Sequence, residues 1–270
     1  YRMDKNRSLL SDTEINAFEK DGAVVLRGFF ADWVSPLRKG VKFLMSKPSS
    51  RERSYYPEDG SAFFFQDLCN WRRIKEFDDF VRKSQAAKLA AALMRSKTAQ
   101  FFHDHVLVKE PGSSIATPWH QDQPYYCVDG CQNVSFWIAL DIIPANISLQ
   151  CVAGSHVSGK QHKPKRFDGS NLYENDPLDE VPDIDNNRHQ YKILNWGVNP
   201  GDVVAFNFRT LHGSGPNISN NRRRVFSARW VGDDATYVDR KGRGSPPFSH
   251  ITLKTGATLC GPDFPVIFKK

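Results

Sequence analysis

The spacing of apolar positions changes about a third of the way along the chain. Residues 11–20 open with Ser11 and Glu14, three apart, a pair that can satisfy each other's orphan amides at a helix start. Asp21-Gly22 stops that segment, so it is expected to be a short helix. Ala23-Val24-Val25-Leu26 is rich in β-branched residues and reads as a strand closing at Gly28. A second helix is expected over residues 32–45, before the turn-prone Lys47-Pro48-Ser49-Ser50. Between Asp78 and Lys97, Phe80, Val81, Ala87, Leu89, Ala90, Leu93 and Met94 recur at helical spacing among strong helix formers, which predicts one further helix. From Phe101 onward the apolar runs shorten to 105–108, 134–140, 149–152, 203–208 and 224–230, separated by Gly, Pro, Asn and Asp turns. That texture belongs to an all-β barrel or sandwich.

The expected fold is mainly β with flanking α: a double-stranded β-helix of about eight short strands, jelly-roll or cupin-like, backed by N-terminal helices. One domain over 1–270 is expected, with helical support over roughly 1–100, the β core over roughly 101–235 and a C-terminal extension over 236–270. Residues 160–188 are long, polar and rich in Asp, Asn and Pro, and are expected to form a lid or insertion loop.

Composition narrows the function classes. A chain of 270 residues, 40% hydrophobic and 25% charged, with mean hydropathy −0.52, can bury a sizeable core and an enclosed site. The net charge of +7 suits an anionic partner, but the basic clusters at 160–166 and 222–224 lie on no long amphipathic helix and in no Gly/Arg-rich tail. Nucleic-acid binding is therefore not expected, and a small anionic substrate or cosubstrate accounts for the charge. Five cysteines, an odd number with no CxxC pair, point to a reducing compartment. Residues 1–10 lack the apolar centre of a signal peptide and no run of ~18 apolar residues is present. A cytoplasmic protein with no membrane span, monomeric or homodimeric, is expected.

In Trp119-His120-Gln121-Asp122 an imidazole and a carboxylate stand two apart, a spacing that on a strand puts both on one face, within reach of a single ion. About ninety residues later His212 follows another strand-like run over 202–210. Two histidines and one carboxylate on one face of an octahedral site, with the opposite face open, are the ligand set of non-haem Fe(II) oxygenases. A cosubstrate carboxylate pointing away from the iron needs an always-ionised, bidentate partner. Arg223, eleven residues past His212, can be folded back beside the metal face by a turn over 216–221.

The ordered runs Lys109-Glu110-Pro111-Gly112, Thr117-Pro118-Trp119-His120-Gln121-Asp122-Gln123-Pro124-Tyr125, Trp137-Ile138-Ala139-Leu140-Asp141, Gly154-Ser155-His156 and His212-Gly213-Ser214-Gly215-Pro216-Asn217 resemble the phytanoyl-CoA dioxygenase family of Fe(II)/2-oxoglutarate oxygenases. The resemblance covers roughly residues 100–230, and the Asp21-Gly22 entry also fits it. It implies that His120, Asp122 and His212 bind Fe(II) and that Arg223 pairs with the far carboxylate of 2-oxoglutarate. It also implies that Ser214 hydrogen-bonds the same carboxylate, that Trp137 lies beside the cosubstrate and that His105 makes another cosubstrate contact. The activity it implies is oxidation by O₂ with release of succinate and CO₂, ending in hydroxylation of the substrate. Asp122 stands where related halogenases carry a small residue, so halogenation is not expected. Desaturation, epoxidation or cyclisation by the same oxidant, and a non-catalytic β-helix binding module, are the alternatives; the complete His120, Asp122, His212 and Arg223 set argues against the last.

Several other residues have two readings. His156 is read as a turn-shaping histidine rather than a ligand. His103, His105, Leu107 and Lys109 alternate and share a face; a solvated strand face suits His103 and Lys109 at least as well as a basic inner face. Arg229 shares parity with Arg223 and points inward, toward substrate or toward Asp233 or Asp234, whereas Arg222 and Arg224 face outward. Gln121, Tyr125 and Tyr126 are assigned with Arg229 to the substrate, which is expected to be a small carboxylate or phosphonate. The Phe63-Phe64-Phe65-Gln66 run is read as core that partly lines the pocket, and Cys127 and Cys131 as small hydrophobes.

Overall fold

The computed structural model describes residues 9–166, 170–240 and 244–270. Residues 1–8 of the N-terminal stretch, 167–169 of the expected lid and 241–243 of the C-terminal extension lie outside the described residues.

Helix α1 (Asp12–Asp21) begins as expected: the Ser11 hydroxyl accepts the Glu14 amide, and the Glu14 carboxylate accepts the Ser11 amide at 2.8 Å. Gly22 ends it at φ +76, its amide donating to the Phe18 carbonyl. Only glycine fits there, because a Cβ would stand 2.4 Å from His156 Nδ1. β1 (Ala23–Leu26) follows, then α2 (Val34–Ser46) and β2 (Phe64–Leu68).

The single helix expected over 78–97 is two helices, α3 (Lys75–Lys83) and α4 (Ala86–Leu93). Ser84 breaks it: its backbone is extended, at φ −76 and ψ 172, and its hydroxyl accepts the Ala86 amide at 3.2 Å, the local competition that serine offers to a helix. Phe77, Phe80 and Val81 of α3 are buried, and nearly all of α4 is buried.

The remaining strands are β3 (Thr98–Lys109), β4 (Thr117–His120), β5 (Val128–Asp129), β6 (Asn133–Ala139), β7 (Leu149–Val152), β8 (Ile193–Asn195), β9 (Val203–Phe206), β10 (His212–Ser214), β11 (Arg223–Val231), β12 (Thr236–Tyr237) and β13 (Val266–Lys269). Among the described residues there are thirteen strands, of which eight, β3, β6, β9 and β11 in one sheet and β4, β7, β8 and β10 in the other, form the expected core. β1, β2 and β13 widen the major sheet, ordered β1-β9-β6-β11-β3-β13 with β2 also on β3, and β5 pairs β12. The minor sheet is β4-β10-β7-β8, and every named pairing is antiparallel.

Alternation sorts the major sheet's side chains by face. Phe136, Ile138, Phe226, Ala228 and Trp230 point outward into the helical layer, where Phe77 lies 4.6 Å and Phe80 5.4 Å from Phe226, ring to ring. Trp137, Val204, Phe206 and Val225 point inward and pack against Leu149 and Cys151 of the minor sheet. The strand expected over 202–210 stops at Phe206; Asn207 to Leu211 cross between sheets, so His212 opens a strand of the minor sheet.

Candidate active site

Three side chains from two segments meet between the sheets. His120 ends β4 and His212 starts β10, and the two residues are register partners. Asp122 arrives differently from the strand parity that brought it into consideration: β4 ends at His120, and Asp122 lies beyond the strand in a turn, its amide donating to the Phe208 carbonyl at 2.8 Å. Its Oδ1 is 3.7 Å from His120 Nε2 and 3.8 Å from His212 Nε2. The three ligand atoms lie within 4.8 Å of one another, the one such cluster among the described residues.

Each partner group is turned so that these atoms stay free. His120 Nδ1 faces the Pro118 carbonyl at 2.8 Å and His212 Nδ1 the Thr210 carbonyl at 2.9 Å, so each Nδ1 carries the proton and each Nε2 presents a lone pair. Thr210 is itself held by its hydroxyl, which donates to the Gly22 carbonyl, so the α1 cap braces the support of a ligand. The far oxygen of Asp122, Oδ2, accepts Ser135 Oγ at 3.0 Å and Arg229 Nε at 3.3 Å. Burial alone would raise the Asp122 carboxyl; Arg229 and the two imidazoles outweigh it and hold the group below the carboxylate range. Burial, with His120 beside it, pushes His212 down to about 3, and burial lowers His120. The set is an anionic oxygen and two neutral imidazoles, and its N₂O donor chemistry fits a divalent iron.

The cluster forms one wall of a cavity of about 570 Å³, within the range of small-molecule sites. At its inner end Arg223 is buried, its Nη2 3.3 Å from Ser214 Oγ, its Nη1 donating to the Ile147 carbonyl and its guanidinium 6.0 Å from the Trp137 ring. Burial lowers this guanidinium to about 10, and no carboxylate pairs with it among the described residues. At the mouth, Lys163 and Lys165 reach Glu180 at 3.3 and 2.7 Å. The Tyr125 hydroxyl donates to the Lys165 carbonyl and accepts its amide, tying the 160–188 segment to the wall of the site.

A profile of the phytanoyl-CoA dioxygenase (PhyH) family matches residues 18–225, a span that contains both histidines, Asp122 and Arg223. The chain belongs to the phytanoyl-CoA dioxygenase family. The peroxisomal phytanoyl-CoA dioxygenase of Homo sapiens is 27% identical over 146 residues, 52% of this chain and 41% of the human protein. The probable alpha-ketoglutarate-dependent hypophosphite dioxygenase of Stutzerimonas stutzeri is 29% identical over 146 residues, 49% and 46% of the two chains. The chain thus matches under half the length of these curated relatives. Among solved structures, the non-heme alpha-ketoglutarate-dependent carbocyclase SnoK from nogalamycin biosynthesis superposes with TM-score 0.75 at 20% identity over 96% of each chain. EctD from S. alaskensis, crystallised with 2-oxoglutarate and 5-hydroxyectoine, superposes with TM-score 0.69 at 19% identity, over 96% of this chain and 89% of that one. Both likenesses place this family member in the same fold.

Within this family member, the structure gathers His105, Trp137, Ser214, Arg223, Tyr125, Tyr126 and Arg229 around the cavity with the three candidate ligands. Gln121 is a correction. Its Nε2 donates to the Lys160 and Arg209 carbonyls and its Oε1 accepts the His162 amide, so it staples the loop behind the site instead of facing substrate. Arg229 pairs with Asp122; Asp233 binds Thr98, and Asp234 the amides of Cys131 and Gln132. His103 and Lys109, which a solvated face would suit, are both buried: the Tyr126 ring stands 5.0 Å from the His103 ring, and Ser214, Gly215 and the Phe64 ring surround the Lys109 ammonium. His156 Nε2 donates to the Glu19 carbonyl at 3.0 Å, away from the three candidate ligands.

Ser135 and Ser227 are not singled out from the sequence, whereas Gln66 belongs to the 63–66 run expected to line the pocket in part. Ser135 and Ser227 carried a usable signal, being two residues from Trp137 and from Arg229 on their strands. Gln66 Nε2, His105 Nε2, Ser227 Oγ and Arg229 Nη1 are buried without a hydrogen-bond partner, and all four residues line the cavity. Groups of this kind are the polar contacts that a bound molecule completes.

Proposed function

We propose that the chain is an Fe(II)- and 2-oxoglutarate-dependent dioxygenase that hydroxylates a small anionic organic molecule, releasing succinate and CO₂. The observation that carries this reading is the convergence of His120 Nε2, His212 Nε2 and Asp122 Oδ1 in a cavity whose inner end holds a buried arginine without a carboxylate partner. His120, His212 and Asp122 would hold the iron. Arg223 and Ser214 would grip the far carboxylate of 2-oxoglutarate, with Trp137 beside it and His105 as a further contact. When bound, the pair supplies an oxidant made from O₂ as the cosubstrate loses CO₂. Arg229 keeps Asp122 ionised and aimed, and its Nη1, buried without a partner in a residue that lines the cavity, would be a donor for a substrate anion.

An anionic substrate is supported by charge: Lys163, Lys165, Arg166, Arg53, Arg223 and Arg229 line the cavity against only two acidic residues, Asp122 and Glu180, among the described residues. The Stutzerimonas stutzeri relative is named for hypophosphite, also an anion. Tyr125 and Tyr126 supply apolar walls for the body of the substrate. The five cysteines are all free, which suits a reducing compartment such as the cytoplasm, and among the described residues no helix is long and apolar enough to cross a membrane.

Anaerobic titration with Fe(II) and then 2-oxoglutarate tests the reading: a weak visible charge-transfer band is expected, followed by succinate release on admitting air with one of a panel of small carboxylates and phosphonates. No band from a folded, iron-loaded protein would overturn it.

A further inference from the structure

The inner end of the cavity holds a second buried cation, set just behind the lining. Lys109 is the last residue of β3, in register with Arg223 of β11 on one side and Phe64 of β2 on the other. It is wholly buried, its own carbonyl held by Asn217 Nδ2 at 3.0 Å. Its Nζ lies 3.1 Å from the Gly215 carbonyl, 3.4 Å from Ser214 Oγ and 4.9 Å from the centre of the Phe64 ring. No carboxylate pairs with it among the described residues; its neighbour Glu110 is engaged with Arg222 at 2.8 Å. Two cations therefore share one small pocket with neutral oxygens and two aromatic rings, Phe64 and Trp137, around them.

An unpaired buried charge is expensive, and burial together with Arg223 pushes the Lys109 ammonium well below its ordinary range. An arrangement of that kind is stabilised by an anion placed against it. Geometry says how the second cation would reach such an anion. A serine hydroxyl has two acceptor lone pairs and one proton. Ser214 Oγ has Arg223 Nη2 at 3.3 Å and Lys109 Nζ at 3.4 Å, and a guanidinium and an ammonium can only donate. With both lone pairs taken, the hydroxyl proton has one direction left, into the cavity that Ser214 lines.

We propose that Lys109 is a positioning residue of the anion socket: with Arg223 it fixes Ser214 as an obligatory donor toward the far carboxylate of the cosubstrate, and adds a second positive charge behind it. The inference rests on the 2-oxoglutarate reading above. Lys109 does not touch the cosubstrate; it acts through Ser214.

The test uses the full chain with Mn(II) in place of Fe(II), so that 2-oxoglutarate binds without turnover, and reads calorimetric affinity and the rise in Tm on binding. Charge-assisted hydrogen bonds are worth about 1.5–3 kcal/mol, so Lys109→Met should weaken 2-oxoglutarate binding by at most about 10- to 150-fold. Lys109→Arg should recover most of that loss. In a Ser214→Ala background the further loss from Lys109→Met should shrink to a few-fold, the signature of a coupled pair. The Tm of the free protein should hold or rise in Lys109→Met, since an unpaired buried charge is removed. A lysine that merely props up β3 would instead lower that Tm and leave cosubstrate affinity alone, and this result overturns the inference, as do losses that multiply independently in the double variant. Should Lys109→Met not fold, Lys109→Gln carries the same comparison. Absence of 2-oxoglutarate binding by the metal-loaded wild type would overturn the functional reading and this inference together, whereas wild-type binding undiminished by Lys109→Met overturns this inference alone.

Discussion

Asp122 has two oxygens with separate tasks, and most of the site's chemistry follows from that division. Oδ2 is engaged by Ser135 and Arg229, while Oδ1 faces both imidazoles. Asp122→Ala should abolish succinate formation and high-affinity Fe(II) binding while the protein stays folded, as read by an iron assay after desalting and by near-ultraviolet circular dichroism. Full iron occupancy in that variant would exclude Asp122 as a ligand. Arg223→Ala should raise the 2-oxoglutarate KM by about 10- to 150-fold, the loss of one charge-assisted contact, and an unchanged KM would remove Arg223 from cosubstrate binding. The candidate ligands were legible because their residue types are chemically narrow and their spacing is short. Lys109 was legible only as far as its parity, which places it on the same face as His105. Its burial depends on β2 covering β3, and a Phe-rich segment some forty residues earlier does not announce where it will pair.

At the scale of elements, β3 is the strap on which the two halves of the molecule hang. Its inner residues face the cavity, while Asp104 on the opposite face accepts the amides of Asn70 at 3.0 Å and Trp71 at 2.8 Å, and its carbonyl accepts the Cys69 amide. Asp104 thereby fixes the turn that leads from β2 into α3. Burial pushes its carboxyl up to about 6 from 3.8, which sets the sign of a pH effect. Below pH 3.8 the group is protonated in folded and unfolded chains alike; as pH rises toward 6 the unfolded chain loses its proton first. The folded state is therefore stabilised at the acid end of this window and loses that contribution by pH 6, to the extent of about 3 kcal/mol for two pH units of displacement. Asp104→Asn should remove this part of the pH dependence, so the difference in unfolding free energy between wild type and variant should change between pH 4 and 7 in urea titrations. A difference constant with pH would contradict the assignment. The strands around β3 were legible from alternation, whereas the break at Ser84 was not. Residues 78–97 keep helical spacing through it, and only the tertiary demand that α3 and α4 cover different parts of the sheet decides where the helix yields.

At the scale of the whole molecule, part of the basic excess behind the net charge of +7 is gathered at the cavity. Arg222 and Arg224 are paired outward with Glu110 and Asp141, while six positive side chains line the cavity against Asp122 and Glu180 among the described residues. Composition indicates an anionic partner, but not where it enters, because the mouth is assembled from Arg53 near β2 and from the 160–188 segment, more than a hundred residues apart and joined only by the fold. A low-dielectric cleft lined by one sign of charge raises the encounter rate of oppositely charged ligands, and salt screens that steering. On the proposed reading the 2-oxoglutarate dianion passes this mouth to reach Arg223, so its association rate constant with the Mn(II) protein, measured by stopped-flow, should fall several-fold between about 0.05 and 0.5 M salt, the range over which the screening length drops from well above to well below about 10 Å. Arg53→Glu should lower the low-salt rate and flatten its salt dependence while leaving the dissociation rate nearly unchanged, since a charge at the rim governs approach and Arg223 governs retention. If the same substitution slowed association equally at both salt concentrations, the mouth would be acting by shape, and the gathering of charge there would have no part in drawing the ligand in.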